Sequence, residues 1–206
     1  FAGATQPITF DEVLPTFDRE RGIVRGVLPP EKTFMGIDWG RETTVVIIDD
    51  KGNILNAVKL DSRDTGEGDE VEILKQMIVD YNCVQVVADI GYGARQVRQL
   101  QEEFGERVRS CYYTSRPMTP YEYKKRDNNR HLIFMCVVDR TTYVELTVEA
   151  IKNNEISLPY QDESLAWVAH EWCSLTSSEE SDAKNTKHYS MLDLLKKSAA
   201  TVMILS

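Results

Sequence analysis

The sequence predicts an α/β domain built on one mixed β-sheet, in which an antiparallel meander is continued by parallel strands and flanked by helices. Two observations in the sequence of 206 residues predict it. Three short apolar, β-branched runs follow one another between residues 33 and 60, separated by turn residues, as in a meander. Strand and helix patterns then alternate from residue 70 to residue 113, which is typical of a parallel crossover.

The first half of the chain gives the clearest elements. Asp69 precedes Glu72 by three residues, a capping-box spacing, and apolar residues follow at helical intervals. A wholly apolar run that ends at Asp89 is typical of a strand buried on both faces. We therefore expect strands at 33–38, 43–49, 54–60, 84–88 and 108–113, and helices at 70–81 and over the turns that end at Gly105.

The second half is less regular. Residues 121–130 show no periodicity, and 132–138 fits either a strand or the front of a helix that continues to 153. Further expectations are an edge strand at 156–158, an amphipathic helix at 163–175, a polar loop at 176–187 and a last helix at 189–205. Residues 1–32 carry four prolines and only a short helical pattern near 10–17, so they are predicted to be a linker with some local order.

Composition excludes several classes of protein. No apolar run approaches the roughly 20 residues that a membrane span requires, and we expect a soluble protein. The net charge of -9 argues against a uniformly basic nucleic-acid coat, although one basic edge remains compatible with it. The four cysteines stand far apart without zinc-ligand spacing, as expected of free, mostly buried thiols.

Three carboxylates stand where metal chemistry would require them. Asp38 ends the first strand, Asp89 ends the buried central strand, and Asp193 lies in the first turns of the last helix. Neighbouring parallel strands end at the same edge of a sheet, and a helix packed across that edge could add the third acid. Grouped carboxylates repel one another unless cations lie between them, and oxygen ligands at that density suit Mg²⁺ or Mn²⁺.

Each of the three acids stands in a longer motif: Phe34-Met-Gly-Ile-Asp38-Trp-Gly40, Val86-Val-Ala-Asp89-Ile-Gly-Tyr-Gly93 and Asp193-Leu-Leu-Lys-Lys-Ser198. With these motifs the sequence resembles the nuclease domain of the large terminase subunit of tailed bacteriophages. The resemblance implies a ribonuclease H-like mixed sheet over residues 33–206, with residues 1–32 left from an excised ATPase domain. It also implies that Asp38, Asp89 and Asp193 are catalytic and hold two Mg²⁺ or Mn²⁺ ions.

The same resemblance implies an activity and its partners. The domain would cut concatemeric double-stranded viral DNA with little sequence specificity, one ion orienting the water and the other steadying the leaving oxygen. In the full-length protein the partners would be an ATPase domain, the small terminase subunit and the portal, with no membrane. The site of action would be the cytoplasm of the infected bacterial host.

Two departures qualify the resemblance. Many relatives carry an additional acid or His before the third Asp, where this chain has His188-Tyr-Ser190, so His188 is the candidate fourth ligand. The chain also lacks a Gly-x-x-x-x-Gly-Lys-[Ser/Thr] loop, so it does not supply the packaging ATPase.

The candidate DNA contacts are basic residues in an otherwise acidic chain. Tyrosines, lysines and arginines are densest in the aperiodic segment around 121–130, where cations could meet phosphates without reading bases. The candidates are Lys124, Lys125, Arg126 and Arg130, together with Arg95, which closely follows the second acid.

Three alternatives remain open. Gly36 to Thr44 also resembles the phosphate-binding hairpin of the actin, sugar-kinase and heat-shock ATPases, although the chain after Asp193 has no glycine for an adenosine loop. A ribonuclease H-like module that only docks DNA or a portal is the non-enzyme alternative. A resolvase or transposase nuclease would use the same three-acid arrangement.

Overall fold

A central seven-stranded mixed sheet organises the chain. The computed structural model describes residues 7–40, 42–61, 69–116, 118, 121–126, 132–174, 177–179 and 187–189. The strands are β1 (Phe17–Asp18), β2 (Thr33–Asp38), β3 (Glu42–Asp49), β4 (Ile54–Asp61), β5 (Cys83–Asp89), β6 (Val108–Thr114), β7 (Tyr121–Arg126), β8 (Leu132–Asp139), β9 (Leu158–Pro159), β10 (Ser177–Glu179) and β11 (Lys187–Tyr189). The large sheet has the order β4-β3-β2-β5-β6-β8-β7.

The pairing within this sheet confirms the predicted fold class. Strands β2, β3 and β4 form the antiparallel meander, and β5, β6 and β8 continue the sheet in parallel with β2. The helix between β5 and β6 (Ala94–Phe104) forms a strand-helix-strand crossover between these two adjacent parallel strands, and the helix Asp69–Asp80 lies in the connection that leads to β5. The outermost strand, β7, is antiparallel to β8.

Helices cover both faces of the sheet. They are α1 (Phe10–Val13), α2 (Asp69–Asp80), α3 (Ala94–Phe104), α4 (Arg140–Lys152) and α5 (Ala166–Cys173). Helices α2 and α3 bury Leu74 and Leu100 against one face, whereas α4 and α5 bury Tyr143 and Trp172 against the other. Because side chains alternate along a strand, each central strand contributes side chains to both hydrophobic cores. No helix in the described part of the chain is long and apolar enough to span a bilayer.

The segment before β2 packs onto the sheet rather than standing clear of it. Ile8 and Val13 are fully buried in the core beneath α4 and α5. The Arg21 guanidinium donates to the carbonyls of Ile54, at 2.5 Å, and Ser157, at 3.0 Å. The Val24 amide donates to Leu55 at 2.9 Å. From residue 7 onward this predicted linker is therefore a strap across the beginnings of the strands; its origin in a longer protein stays a prediction.

Several elements differ from the sequence prediction. The aperiodic segment contains β7, and the ambiguous run is the strand β8, which passes directly into α4 with Asp139 as the N-cap. The predicted loop at 176–187 contains β10, which pairs with β11. Tyr189 belongs to β11, so the predicted last helix cannot begin there, and its remainder lies outside the described residues.

Candidate metal centre at the carboxyl ends of β2 and β5

Asp38 and Asp89 lie side by side at one edge of the sheet. In the parallel pair β2–β5, Ile37 is opposite Ala88, so the next residues of the two strands are the two acids. Neighbouring strands are about 4.8 Å apart, which leaves the two carboxylates within reach of one ion. This placement is the one that strand-end reasoning predicted.

Both carboxylates belong to the same face of the sheet. Alternation along β5 places Asp89 on the side of Val87, which packs in the core under α4. Asp38 is paired with Thr44 of β3, and Val46, two residues further, lies in the same core. Asp38 is only 3 % exposed, whereas Asp89 is half-buried at the rim. The pair is therefore open to ligands from the Asp89 side.

The loop after Asp89 is tightly fitted around the acids. The Gly91 amide donates to Asp89 Oδ1 at 3.2 Å, and the Ile90 amide donates to the Cys111 carbonyl at 3.1 Å. A Cβ on Gly93 would lie 2.0 Å from Cδ1 of the Trp39 indole. Because Trp39 is buried and directly follows Asp38, only glycine lets this loop close over the ring and bring the two acid-bearing segments together.

Two thiols lie beside Asp89 on the next strands of the sheet. Cys111 of β6 is opposite both Asp89 and Cys136 of β8, and both thiols are buried. A hydrogen bond with Cys136, burial and the nearby Asp89 charge raise the pKa of Cys111 well above its usual value. Burial also raises the pKa of Tyr143, which packs in the same core, to about 12. The Cys111 thiol and the Tyr143 hydroxyl therefore stay neutral near pH 7.

The rest of the predicted ligand set lies mostly outside the described residues. Asp193 is not among them, and His188 is placed only as part of β11, opposite Ser178. The role of His188 as a fourth ligand stays a prediction, because the chain from residue 190 onward lies outside the described residues. Within the described ranges no group of three or more His, Cys, Asp or Glu side chains could hold a metal ion. Asp38 and Asp89 thus form a two-ligand platform.

The predicted basic patch is divided between two faces by strand alternation. Lys124 and Arg126 share the face of Cys136, which is also the face of the two acids, whereas Lys125 points to the opposite side with Tyr123. Lys124 donates to Glu106 Oε2 at 2.9 Å and lies 5.1 Å from the Phe134 ring centroid. This hydrogen bond lowers the pKa of Glu106.

Of the two remaining basic candidates, the structure describes only Arg95. Arg95 is exposed in the first turn of α3, immediately after the loop that follows Asp89. Arg130 lies outside the described residues. Across the three strand spacings between β5 and β7, Lys124 and Arg126 are roughly 15–20 Å from Asp89.

Sequence reasoning missed the structural part played by Trp39. Trp39 belongs to the motif around Asp38, but its contact with Gly93 joins two segments that are far apart in the chain. A local sequence pattern does not reveal such a contact. The available signal was a large aromatic beside one acid together with a glycine pair beside the other.

The structure combines a seven-stranded mixed sheet with two carboxylates at the ends of adjacent parallel strands. No family model and no curated protein sequence matches the chain. Solved structures do. The large terminase nuclease of thermophilic phage G20c, determined with bound magnesium, has a TM-score of 0.60 at 15% identity and covers 95% of this chain and 94% of its own.

Two further structures extend the likeness. The nuclease domain of the large terminase subunit gp2 of bacterial virus Sf6 has a TM-score of 0.61 at 8% identity, covering 97% of this chain and 98% of its own. The large terminase of a second thermophilic bacteriophage has a TM-score of 0.59 at 15% identity, covering 100% of this chain but only 45% of its own. The chain therefore has the fold of large terminase nuclease domains and spans about half of that longer terminase.

Proposed function

We propose that the chain is a metal-dependent endonuclease domain that cuts double-stranded viral DNA during genome packaging, with Asp38, Asp89 and Asp193 as catalytic residues. The observation that carries the proposal is the adjacent placement of Asp38 and Asp89 on one face at the ends of β2 and β5. Structures that match along their whole length are nuclease domains, which favours this function over an ATPase fragment.

The donor set fits a hard divalent cation. Two carboxylates at neighbouring positions repel each other, and a cation between them removes that repulsion. The G20c nuclease was solved with magnesium and a variant of the Sf6 domain with manganese, and we propose the same ions here, two in number. Bound there, they would polarise the scissile phosphate and help to ionise the attacking water.

The protein's own residues supply position and access. Asp38 is fixed by burial, Asp89 by the amide of Gly91, and Asp193, with His188 as a fourth ligand, would complete the set. Lys124, Arg126, Arg130 and Arg95 are proposed phosphate contacts that hold the duplex without reading its bases. Lys125 faces the other side of β7 and is proposed as a contact for DNA that reaches that side. The proposed partners in the whole protein are an ATPase domain, the small terminase subunit and the portal, acting in the host cytoplasm.

Plasmid nicking in Mn²⁺ or Mg²⁺ tests the proposal. Asp38→Asn, Asp89→Asn and Asp193→Asn keep the side-chain shape but remove the charge, and each is expected to lower the rate by about a thousandfold or more, equivalent to several kcal/mol of the barrier. The matched control is Asp50→Asn, an exposed Asp at the opposite end of the sheet, which should cut like the parent. A residue whose substitution leaves nicking unchanged does not belong to the site.

A further inference from the structure

Tyr92 is the most exposed aromatic side chain in the described part of the chain, and it stands three residues after Asp89. It is 75 % exposed, whereas most of the large apolar side chains in the described part of the chain are buried. A ring that gains so little from packing contributes little to folding. What distinguishes Tyr92 from other exposed side chains is its place in the loop that directly follows Asp89.

The backbone that carries Tyr92 is fixed on both sides. Before it, the Gly91 amide is bonded to Asp89 and the Ile90 amide to Cys111. After it, Gly93 is closed against the buried Trp39 ring, and the Gly93 carbonyl accepts from the Val97 amide at 2.8 Å in the first turns of α3. The ring is thus presented from a defined position, and its two glycine neighbours have no side chain to shield its faces.

An exposed aromatic ring beside the proposed metal centre has the nucleobases of DNA as its stacking partners. Aromatic side chains stack on nucleobases, and such stacking tolerates any sequence because every base has a π-face. A paired base within a duplex does not offer that face, so an inserted ring must first partly unstack the step. The cost of that unstacking is smallest where the DNA is already unpaired.

We propose that Tyr92 stacks on a nucleobase next to the scissile phosphate, so that this site prefers locally unpaired DNA over a perfect duplex. The inference rests on the proposed nuclease function. It adds a positioning residue and a substrate preference to it. Because the contact does not depend on the identity of the base, it agrees with cutting that has little sequence specificity.

The test compares two DNA probes bound by the whole chain with Ca²⁺ in place of Mg²⁺. One probe is a fully paired duplex and the other has the same sequence with a central unpaired bubble that carries 2-aminopurine. The parent is expected to bind the bubble more tightly and to quench the 2-aminopurine fluorescence. Tyr92→Ala should lose about tenfold in affinity for the bubble, little for the duplex, and the quenching, while Tyr92→Phe should retain all three properties.

Two variants control the comparison. Tyr92→Leu keeps an apolar side chain without a π-face and should behave like Tyr92→Ala. Leu28→Ala removes a side chain that is 82 % exposed in the strap before β2, at the end of the sheet away from the acids, and should bind both probes like the parent. Because Tyr92 is exposed, its variants should unfold at the temperature of the parent.

The outcomes separate this inference from the proposed function. Equal losses on both probes, no loss on either, or a parent without preference for the bubble would overturn the stacking role, even where plasmid nicking depends on Asp38 and Asp89. A parent that neither binds nor cuts DNA would overturn the nuclease function, and the role of Tyr92 would be lost with it.

Discussion

The acid end of the sheet and the basic strand β7 are held in different ways. Asp38 and Asp89 are the last residues of β2 and β5, and the residues before them alternate between the two buried cores. The positions of the two acids therefore follow from the register of these strands. The basic side chains of β7 stand on the outermost strand of the described sheet and are mostly exposed. The first region is held by packing in two cores. The second is held by backbone pairing, by ring contacts such as that of Lys124 with Phe134, and by ion pairs of exposed side chains, which contribute little to stability.

Among the variants that test this comparison and leave the acids unchanged, Gly93→Ala is expected to have the largest effect. In Gly93→Ala the new Cβ would lie 2.0 Å from the Trp39 ring, so either the ring or the loop must move. Overpacking of this kind costs about 1–3 kcal/mol, and a displacement near 1 Å of the acids can lower activity by about a hundredfold. Denaturant unfolding and plasmid nicking measure the two effects.

Gly105→Ala is the matched control for this prediction. Gly105 has a φ of 60° but nothing within 4 Å of its added Cβ. Because its ψ is -132°, Gly105 lies in a region that residues with a Cβ rarely adopt, and the substitution should cost about 1–3 kcal/mol of backbone strain and leave nicking intact. Equal activity of the two glycine variants would show that the Trp39 contact does not position the acids.

A smaller effect is expected on β7, and it should depend on the face of the strand. Arg126 lies on the face of the acids and Lys125 on the other. If DNA lies over the acid pair, Arg126→Ala should reduce the salt dependence of DNA binding by about one unit of slope, as for one lost phosphate contact. Lys125→Ala should leave the slope unchanged. Titrations of fluorescent duplex at several salt concentrations would measure both, and equal slopes for the two variants would contradict this orientation.

The smallest effect concerns the ion pair between Lys124 and Glu106. Glu106→Gln removes the partner that holds the Lys124 ammonium at 2.9 Å, which frees a cation on the face of the acids. We expect DNA affinity to rise by about two- to threefold, as for a modest exposed charge interaction. A double-mutant cycle with Lys124→Ala checks the cause, since the gain should vanish when the lysine is absent.

The contrast between the two regions also explains what the sequence could predict. The acid pair was predictable because an apolar run that ends in Asp marks the end of a buried strand, and two such strands in parallel must end together. Strand β7 was not predictable, because in Tyr-Glu-Tyr-Lys-Lys-Arg the alternation of aromatic and charged residues ends after four residues and three cations follow one another. The conformation of this segment depends on its pairing with β8. The division of its cations between two faces followed only once that pairing was known.

Tertiary contacts set the other limits of prediction. The prolines and charges of the strap before β2 predict a linker. The buried residues that attach it, Ile8 and Val13, look like isolated apolar residues in a single sequence. The ambiguity at 132–138 arose because an apolar run of that length fits a buried strand or a buried helix equally well. Asp193, which rests on a resemblance of motif, stays a prediction.

The strap has a mechanical consequence. Tension applied along the chain ahead of the strap would be borne first by the buried side chains of Ile8 and Val13 and by the pairing of β1 with β9. The bonds of Arg21 to Ile54 and Ser157 and of Val24 to Leu55 would be loaded next, before β2. Because these attachments lie between the preceding polypeptide and β2, a pull on that polypeptide must break them before it can displace the two acids.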